Sequence, residues 1–138
     1  MTISVLIVDD DAQLAQLCAD ILKEGGYVTK MVTHPEGGLR LLDSETFDLL
    51  LTDLRMPGID GFELMELARL RQPHLAVVMM TGLGTMETAI EALRRGADGL
   101  TIKPFTSSQL LDNVRYALNI HQQKHDVQRL NSIRPLLD

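Results

Sequence analysis

Short apolar runs alternate with amphipathic stretches along most of the chain. Strands are predicted for five apolar runs: Ile3 to Val8, Val28 to Val32, Phe47 to Thr52, Leu75 to Met80 and Gly99 to Ile102. Helices are predicted where apolar residues recur every three or four positions: Ala12 to Glu24, Glu36 to Leu42, Gly61 to Leu70, Met86 to Arg95, and from Ser107 onward. This alternation predicts an α/β fold, a doubly wound (βα)5 unit around a five-stranded parallel sheet.

Residues that stop helices stand where the predicted helices end. Gly25 and Gly26 follow the first helix and Gly96 follows the fourth, at positions where a left-handed backbone conformation is common. Pro73 lies just past the third helix, which it cannot continue. The second strand alternates between apolar and polar residues, which is typical of an edge strand, whereas three of the others are apolar on both faces, as interior parallel strands should be.

Composition limits the size and class of the protein. The chain has 138 residues, 45% of them hydrophobic, which suits one domain with its own core. A formal net charge of −6 has the wrong sign for holding nucleic-acid phosphates, so direct nucleic-acid binding is not expected. The one cysteine, Cys18, is expected to be a small buried thiol on a helix. No apolar segment reaches the roughly 18 residues of a membrane span, and we expect a cytoplasmic protein.

Polar side chains follow four of the five predicted strands. They are Asp9, Asp10 and Asp11 after the first strand, Asp53 after the third, Thr81 after the fourth and Lys103 after the fifth. The carboxyl ends of parallel strands meet at one edge of a sheet, where such folds bind ligands. Several carboxylates gathered there repel one another unless a cation joins them. Since the candidate ligands are hard oxygens, the sequence predicts a site for Mg²⁺ or Mn²⁺ and not for Zn²⁺.

Two of these acids also have a purely structural explanation. Asp11 directly precedes Ala12 and is suited to capping the first helix. One cap needs one side chain, so capping does not explain three consecutive acids. Asp53 is followed by Pro57 and Gly58 and is also consistent with a solvated turn carboxylate.

The combination of groups predicts a reaction at Asp53. A carboxylate beside a metal ion and Lys103 keeps its charge at neutral pH, so it suits a nucleophile better than a general acid. Attack on a phosphoryl group leaves three equatorial oxygens, which a cation, the Lys103 ammonium and the Thr81 hydroxyl can match. The predicted chemistry is phosphoryl transfer to Asp53.

With these residues in this order, the sequence closely resembles the receiver domains of two-component response regulators. The matching segments are Val5 to Asp11, Asp48 to Gly61, Met79 to Gly82 and Ile102 to Phe105. The resemblance covers about residues 3 to 119 and is closest to receivers of the nitrogen-regulator type. It implies the flavodoxin-like strand order 2-1-3-4-5.

The resemblance also implies a role for each residue of the site. Asp53 would accept the phosphoryl group from a sensor histidine kinase or a phosphotransfer protein, and Thr81 and Lys103 would contact that group. Mg²⁺, or alternatively Mn²⁺, would be held by Asp9, Asp10, Asp53 and the backbone carbonyl of Arg55. The Lys103–Pro104 bond would be cis. Such a domain is not an enzyme, apart from catalysing its own phosphorylation and slow autodephosphorylation.

The sequence departs from the family pattern at Leu100. Many receivers carry Tyr or Phe three residues before the lysine, and that ring turns inward when the threonine moves. With leucine at this switch position, transmission through Thr81 and an aromatic ring is in doubt, although the phosphorylation chemistry is not. Leu100 therefore leaves a second hypothesis open, a phosphorylation-independent interaction module of receiver fold that signals by dimerising.

The last part of the chain differs in composition from the rest. We assign residues 1–119 to the receiver domain and 120–138 to a helical extension or a linker toward an output domain. The fifth helix is expected to continue into the extension, with apolar residues at Leu118, Val127, Leu130, Ile133 and Leu137. A homodimer in which these helices pair is a further expectation. The four histidines, His34, His74, His121 and His125, are all expected to face solvent.

Overall fold

The computed structural model describes the backbone of residues 2–137 and the side chains of residues 2–131. The strands are β1 (Ser4–Val8), β2 (Val28–Val32), β3 (Leu49–Asp53), β4 (Ala76–Thr81) and β5 (Gly99–Ile102). The helices are α1 (Ala12–Glu24), α2 (Pro35–Ser44), α3 (Gly61–Arg71), α4 (Met86–Arg94) and α5 (Ser107–Leu137). Strand and helix alternate throughout, and the predicted α/β class is confirmed.

The strands form one parallel sheet in the order β2-β1-β3-β4-β5. This is the expected flavodoxin-like order. Every residue of β3 and β4 is buried, whereas β2 at the edge alternates between exposed and half-buried positions. Interior parallel strands are apolar on both faces because helices cover both sides of the sheet.

Two layers of helices enclose the sheet. On one face, α1 and α5 bury Cys18, Leu22, Leu110 and Val114 against the strands. On the other face, α2, α3 and α4 cover a second apolar cluster. Cys18 is a buried free thiol as expected, and burial raises its pKa to about 12, so it stays protonated.

The helix ends follow the sequence signals with one exception. Gly26 and Gly96 adopt the left-handed conformation, with φ of +96° and +104°. Gly25 does not, since its φ is −78° and it serves as the C-cap of α1 while the next residue makes the left-handed turn. Asp11 caps α1 as expected and accepts hydrogen bonds from the backbone N–H groups of Gln13 and Leu14.

Two strands extend beyond their apolar runs. β3 begins at Leu49, two residues later than predicted, and continues through Asp53, while β4 continues through Thr81. The backbone of Lys103 donates to the Thr81 carbonyl at 2.8 Å, and that of Leu54 donates to Met80 at 2.8 Å. Ladder hydrogen bonds do not depend on side-chain polarity, so polarity patterns place the strand ends too early.

Helix α5 runs without a break from Ser107 to Leu137. Its side chains are buried at Leu110, Val114 and Ala117, but further along Val127 and Leu130 are exposed. The side chains of Ile133 and Leu137, also expected on the apolar stripe, lie outside the described residues. No helix in the described part of the chain combines the length and apolar character that a bilayer span requires.

Candidate functional site

The carboxyl edge of the sheet brings the predicted polar residues together. Asp9 follows β1, Asp53 ends β3, Thr81 ends β4 and Lys103 follows β5. Strands β1, β3, β4 and β5 are parallel and adjacent in the sheet. The residues at their carboxyl ends therefore lie along the same edge. The exposed Asp10 lies next to Asp9 at this edge, and one carboxylate oxygen from each of Asp9, Asp10 and Asp53 lies within 4.8 Å of the others.

Lys103 joins two of these acids. Its Nζ lies 3.2 Å from Oδ1 of Asp53 and 3.5 Å from Oδ2 of Asp9. The lysine side chain is mostly buried, and its peptide bond to Pro104 is cis as expected. Asp53 is largely buried, with 13% of its side chain exposed, so its carboxylate is held in place and still reachable from solvent.

Asp9 is the most deeply buried of the acids. Its Oδ1 accepts a hydrogen bond from the backbone of Asp11 at 2.9 Å, while Oδ2 is buried without a hydrogen bond. Burial raises the pKa of Asp9, the charges of Asp53 and Asp10 raise it further, and the hydrogen bond from Asp11 and the charge of Lys103 oppose the rise. A buried carboxylate oxygen that has the Lys103 ammonium at 3.5 Å but makes no hydrogen bond, beside two more carboxylates, fits a divalent cation that prefers oxygen ligands.

The pKa of Asp9 predicts a change in stability. We expect Asp9→Asn to increase the free energy of unfolding at pH 7, without divalent cations, by about 1 kcal/mol, because it removes a poorly solvated buried charge. A raised folded-state pKa contributes stability below the unfolded-state value, and this contribution is lost as the pH rises through the folded-state pKa. The advantage of the variant should therefore be absent below the usual aspartate pKa of 3.8, grow as the pH rises from there, and level off above the folded-state pKa of Asp9.

Urea unfolding from pH 3 to pH 8 tests this expectation, with EDTA present to remove divalent cations. Asp11→Asn is the matched control, since asparagine also caps helices and the control removes a neighbouring exposed carboxylate. An advantage of Asp9→Asn over the wild type that is as large at pH 3 as at pH 8 would contradict the assigned cause.

Thr81 and Gly61 shape the surroundings of Asp53. The hydroxyl of Thr81 accepts a hydrogen bond from the backbone of Leu83 at 2.9 Å, which orders the loop before α4. A Cβ atom at Gly61 would lie 2.7 Å from the Asp53 carbonyl oxygen, so only glycine permits α3 to begin this close to β3. This role of Gly61 was not predicted from the spacing of polar residues. The side chain of Arg55 is exposed in the loop after β3.

Comparison with known protein families identifies the family to which this chain belongs. The family described as "Response regulator receiver domain" matches residues 5–115, which is most of the chain. The chain belongs to this receiver family. The resemblance stated from the sequence is thereby confirmed, and receiver domains are signalling domains of two-component systems.

Curated relatives and solved structures agree with this assignment. The chain is 43% identical over 119 residues to response regulator protein FleR of Pseudomonas aeruginosa, covering 86% of this chain and 25% of FleR. It is 31% identical over 135 residues to nitrogen assimilation regulatory protein NtrX of Azorhizobium caulinodans, covering 96% of this chain and 30% of that protein. The chain thus spans about a quarter to a third of the length of these relatives.

Among solved structures, NtrX from Brucella abortus superimposes with a TM-score of 0.85 at 32% identity, over 95% of this chain and 30% of that one. A CheY-like receiver domain protein from Methanospirillum hungatei superimposes with a TM-score of 0.80 at 30% identity, over 90% of this chain and 99% of that one. The second structure is a receiver over nearly its whole length, so the fold of this chain is that of a receiver.

Leu100 lies in β5 of this receiver, paired with Met79 of β4. It is half-buried and packs against the apolar cluster under α2, α3 and α4. Thr81 ends the neighbouring strand. A role for Leu100 in signal transmission stays a prediction.

The expectation that all four histidines face solvent is wrong for His121. Its side chain is only 20% exposed, and its Nδ1 atom lies 3.1 Å from Oδ1 of the buried Asp98. The helical spacing of the apolar residues could have predicted this burial. Leu110, Val114 and Leu118 recur every four positions, and His121, three positions after Leu118, lies on the same face of α5. His34 is exposed but caps α2 through a hydrogen bond from Gly37.

Proposed function

We propose that this receiver accepts a phosphoryl group on Asp53 from a phosphohistidine of a sensor histidine kinase or a phosphotransfer protein. An Asp53 oxygen forms the new P–O bond while the P–N bond to the donor histidine breaks, and the electron pair of that bond returns to the imidazole. The proposal rests mainly on one observation: the Asp53 carboxylate is held 3.2 Å from the Lys103 ammonium in a site still open to solvent.

The other residues of the site have roles in stabilising the transferred group. The Lys103 ammonium pairs with a phosphoryl oxygen, since a charge already placed in a partly desolvated site costs little reorganisation during the transfer. The Thr81 hydroxyl, whose oxygen accepts from Leu83, has its own proton free to donate to a second oxygen, and a shift toward the phosphoryl group would move it away from Leu83. That movement would alter the loop before α4.

Asp9, Asp10 and Asp53, with the Arg55 carbonyl, would hold Mg²⁺ or Mn²⁺. When bound, the cation supplies positive charge that offsets the phosphoryl oxygens and the acids. The three carboxylates, and the buried Oδ2 of Asp9 that makes no hydrogen bond, support this assignment. An all-oxygen donor set favours these hard ions over zinc.

The domain would act within a cytoplasmic phosphorelay, with an output carried by other segments. We propose residues 1–119 as the receiver and 120–138 as its extension toward an output domain. The lengths of FleR and NtrX relative to the matched segment support an output region elsewhere in a longer protein. The domain itself would catalyse only the phosphorylation of Asp53 and the slow hydrolysis of the resulting acyl phosphate.

Intact-mass spectrometry after incubation with acetyl phosphate and Mg²⁺ tests the proposed function directly. We expect a mass gain of one phosphoryl group that hydroxylamine removes, because hydroxylamine cleaves acyl phosphates but leaves phosphoserine and phosphothreonine. Absence of labelling under these conditions, and with an activated kinase, would favour the phosphorylation-independent module.

We further propose that phosphorylation promotes a homodimer. Apolar side chains are exposed on α4 and the end of β5, at Met86, Ile90, Leu93 and Ile102. Light scattering with Mg²⁺ and beryllofluoride, which mimics the phosphoryl group, is expected to show a doubled mass that Leu93→Glu prevents. A monomer in both states would contradict the dimer, while a dimer unaffected by beryllofluoride would support the alternative module.

A further inference from the structure

A second buried polar cluster, around Asp98, lies where the strands begin, opposite the carboxyl ends that carry the acidic site. This residue directly precedes β5, and its side chain is 1% exposed. Oδ2 accepts hydrogen bonds from the backbone of Val77 and from Nη2 of Arg69, both at 2.9 Å. Oδ1 accepts from Nδ1 of His121 at 3.1 Å and from Nζ of Lys124 at 3.2 Å. Asp98 is thus bonded on one side to the sheet and α3 and on the other to α5.

The domain side of this cluster is rigid. Arg69 also donates to the carbonyl oxygens of Leu75 and Gly96, at 3.1 and 2.6 Å, so its guanidinium bridges the segments that flank β4 and β5. Burial alone would raise the pKa of Asp98, but the hydrogen bonds from His121 and Val77 and the charges of His121 and Arg69 hold it below its usual range. Asp98 therefore presents a fixed negative charge toward α5.

The helix side of the cluster lies beyond the part of the chain that matches the receiver family. That match ends at residue 115, whereas His121 and Lys124 follow it by about two turns and two and a half turns of helix. One residue further, the ring of His125 lies 4.3 Å from that of His74 in the loop before β4. The exposed Val127 and Leu130 follow. A helix with so little burial is marginal in water on its own, so contacts of this kind decide how far it persists.

We propose that Asp98 is a docking site for the C-terminal helix, and that its contacts with His121 and Lys124 lock α5 to the domain through residue 125. The rigid receiver unit then ends near residue 125, later than the boundary at 119 that the sequence suggested. Helix α5 is thus held along its first half, since Leu110, Val114 and Ala117 are buried against the sheet and His121, near the middle of the helix, is bonded to Asp98.

This inference does not depend on the proposed phosphorylation. Asp98 stands before β5, whereas Asp53 ends β3, so the two clusters occupy opposite edges of the parallel sheet. A variant that lacks the contacts of His121 and Lys124 with Asp98 should accept a phosphoryl group on Asp53 as the wild type does. Failure of the lock and failure of the phosphorylation proposal are therefore separable.

Hydrogen exchange of the 138-residue chain, followed by mass spectrometry, tests the lock. The variant is His121→Ala combined with Lys124→Ala, and the matched control is the exposed Gln123→Ala on the same helix turn. We expect amides of residues 120–131 to exchange about tenfold faster in the double variant, because hydrogen bonds to a buried charge are lost. Alanine is the best helix former, so faster exchange cannot come from lower helix propensity.

The location of the change decides the outcome. Faster exchange confined to residues 120–131, with β1 amides and the Gln123→Ala control unchanged, supports the lock. Exchange equal to that of the wild type in residues 120–131 would overturn it. A uniform increase over the whole chain would also overturn it, since the cluster would then stabilise the fold without specifically holding the helix. The double variant leaves the bonds of Asp98 to Val77 and Arg69 in place, so folding is expected to be retained.

Discussion

Asp53→Asn is expected to reduce phosphoryl labelling by acetyl phosphate to background. Asparagine keeps the size of the side chain but lacks the carboxylate nucleophile, and it leaves Lys103 with Asp9 as its remaining acidic partner in the site. Intact-mass spectrometry of the folded variant, with Mg²⁺ present, measures the loss. A thermal midpoint of the variant in EDTA that equals or exceeds that of the wild type would show that the loss is chemical and not due to unfolding.

Asp11→Asn provides the control for this experiment. The residue is adjacent to the acidic cluster but its carboxylate caps α1, a role that asparagine also performs. We expect it to be labelled on Asp53 to the same extent as the wild type. Labelling of Asp53→Asn at full stoichiometry would refute the assignment of Asp53 as the acceptor.

Removal of the divalent cation is expected to have the second largest effect. Chelation with EDTA, or the substitution Asp10→Ala, should slow labelling by about a hundredfold or more, since charge stabilisation of the transferred group is lost. The cation should also stabilise the fold: at ten times its dissociation constant it contributes about 1.4 kcal/mol. A Mg²⁺ titration followed by thermal unfolding measures this for the wild type and for Asp10→Ala.

Asp20→Ala, which removes an exposed carboxylate from α1, serves as the control for general charge effects. It should keep the wild-type response to Mg²⁺, whereas Asp10→Ala should lose it. If the wild type did not respond to millimolar Mg²⁺ while Asp10→Ala raised the thermal midpoint, the carboxylates would merely repel one another. The metal site would then be rejected.

Several features of the site could be predicted from the sequence because they follow from local order. A strand that is apolar on both faces must lie inside a parallel sheet, and whatever follows it must reach the carboxyl edge. This rule places Asp9, Asp53, Thr81 and Lys103 together at that edge from sequence order alone. The cap at Asp11 and the left-handed turns at Gly26 and Gly96 are likewise local, since each depends on a few neighbouring residues.

Other features depend on contacts between distant segments, and only the tertiary structure decided them. The raised pKa of Asp9 reflects how deeply the assembled fold buries it, which no stretch of sequence specifies. Gly61 is required because α3 begins against the backbone of β3. His121 is an ordinary polar residue until packing brings it to Asp98, 23 positions earlier in the chain. Sequence order determined the fold and the members of the acidic site, whereas burial and long-range pairing determined their energetics and where α5 is held.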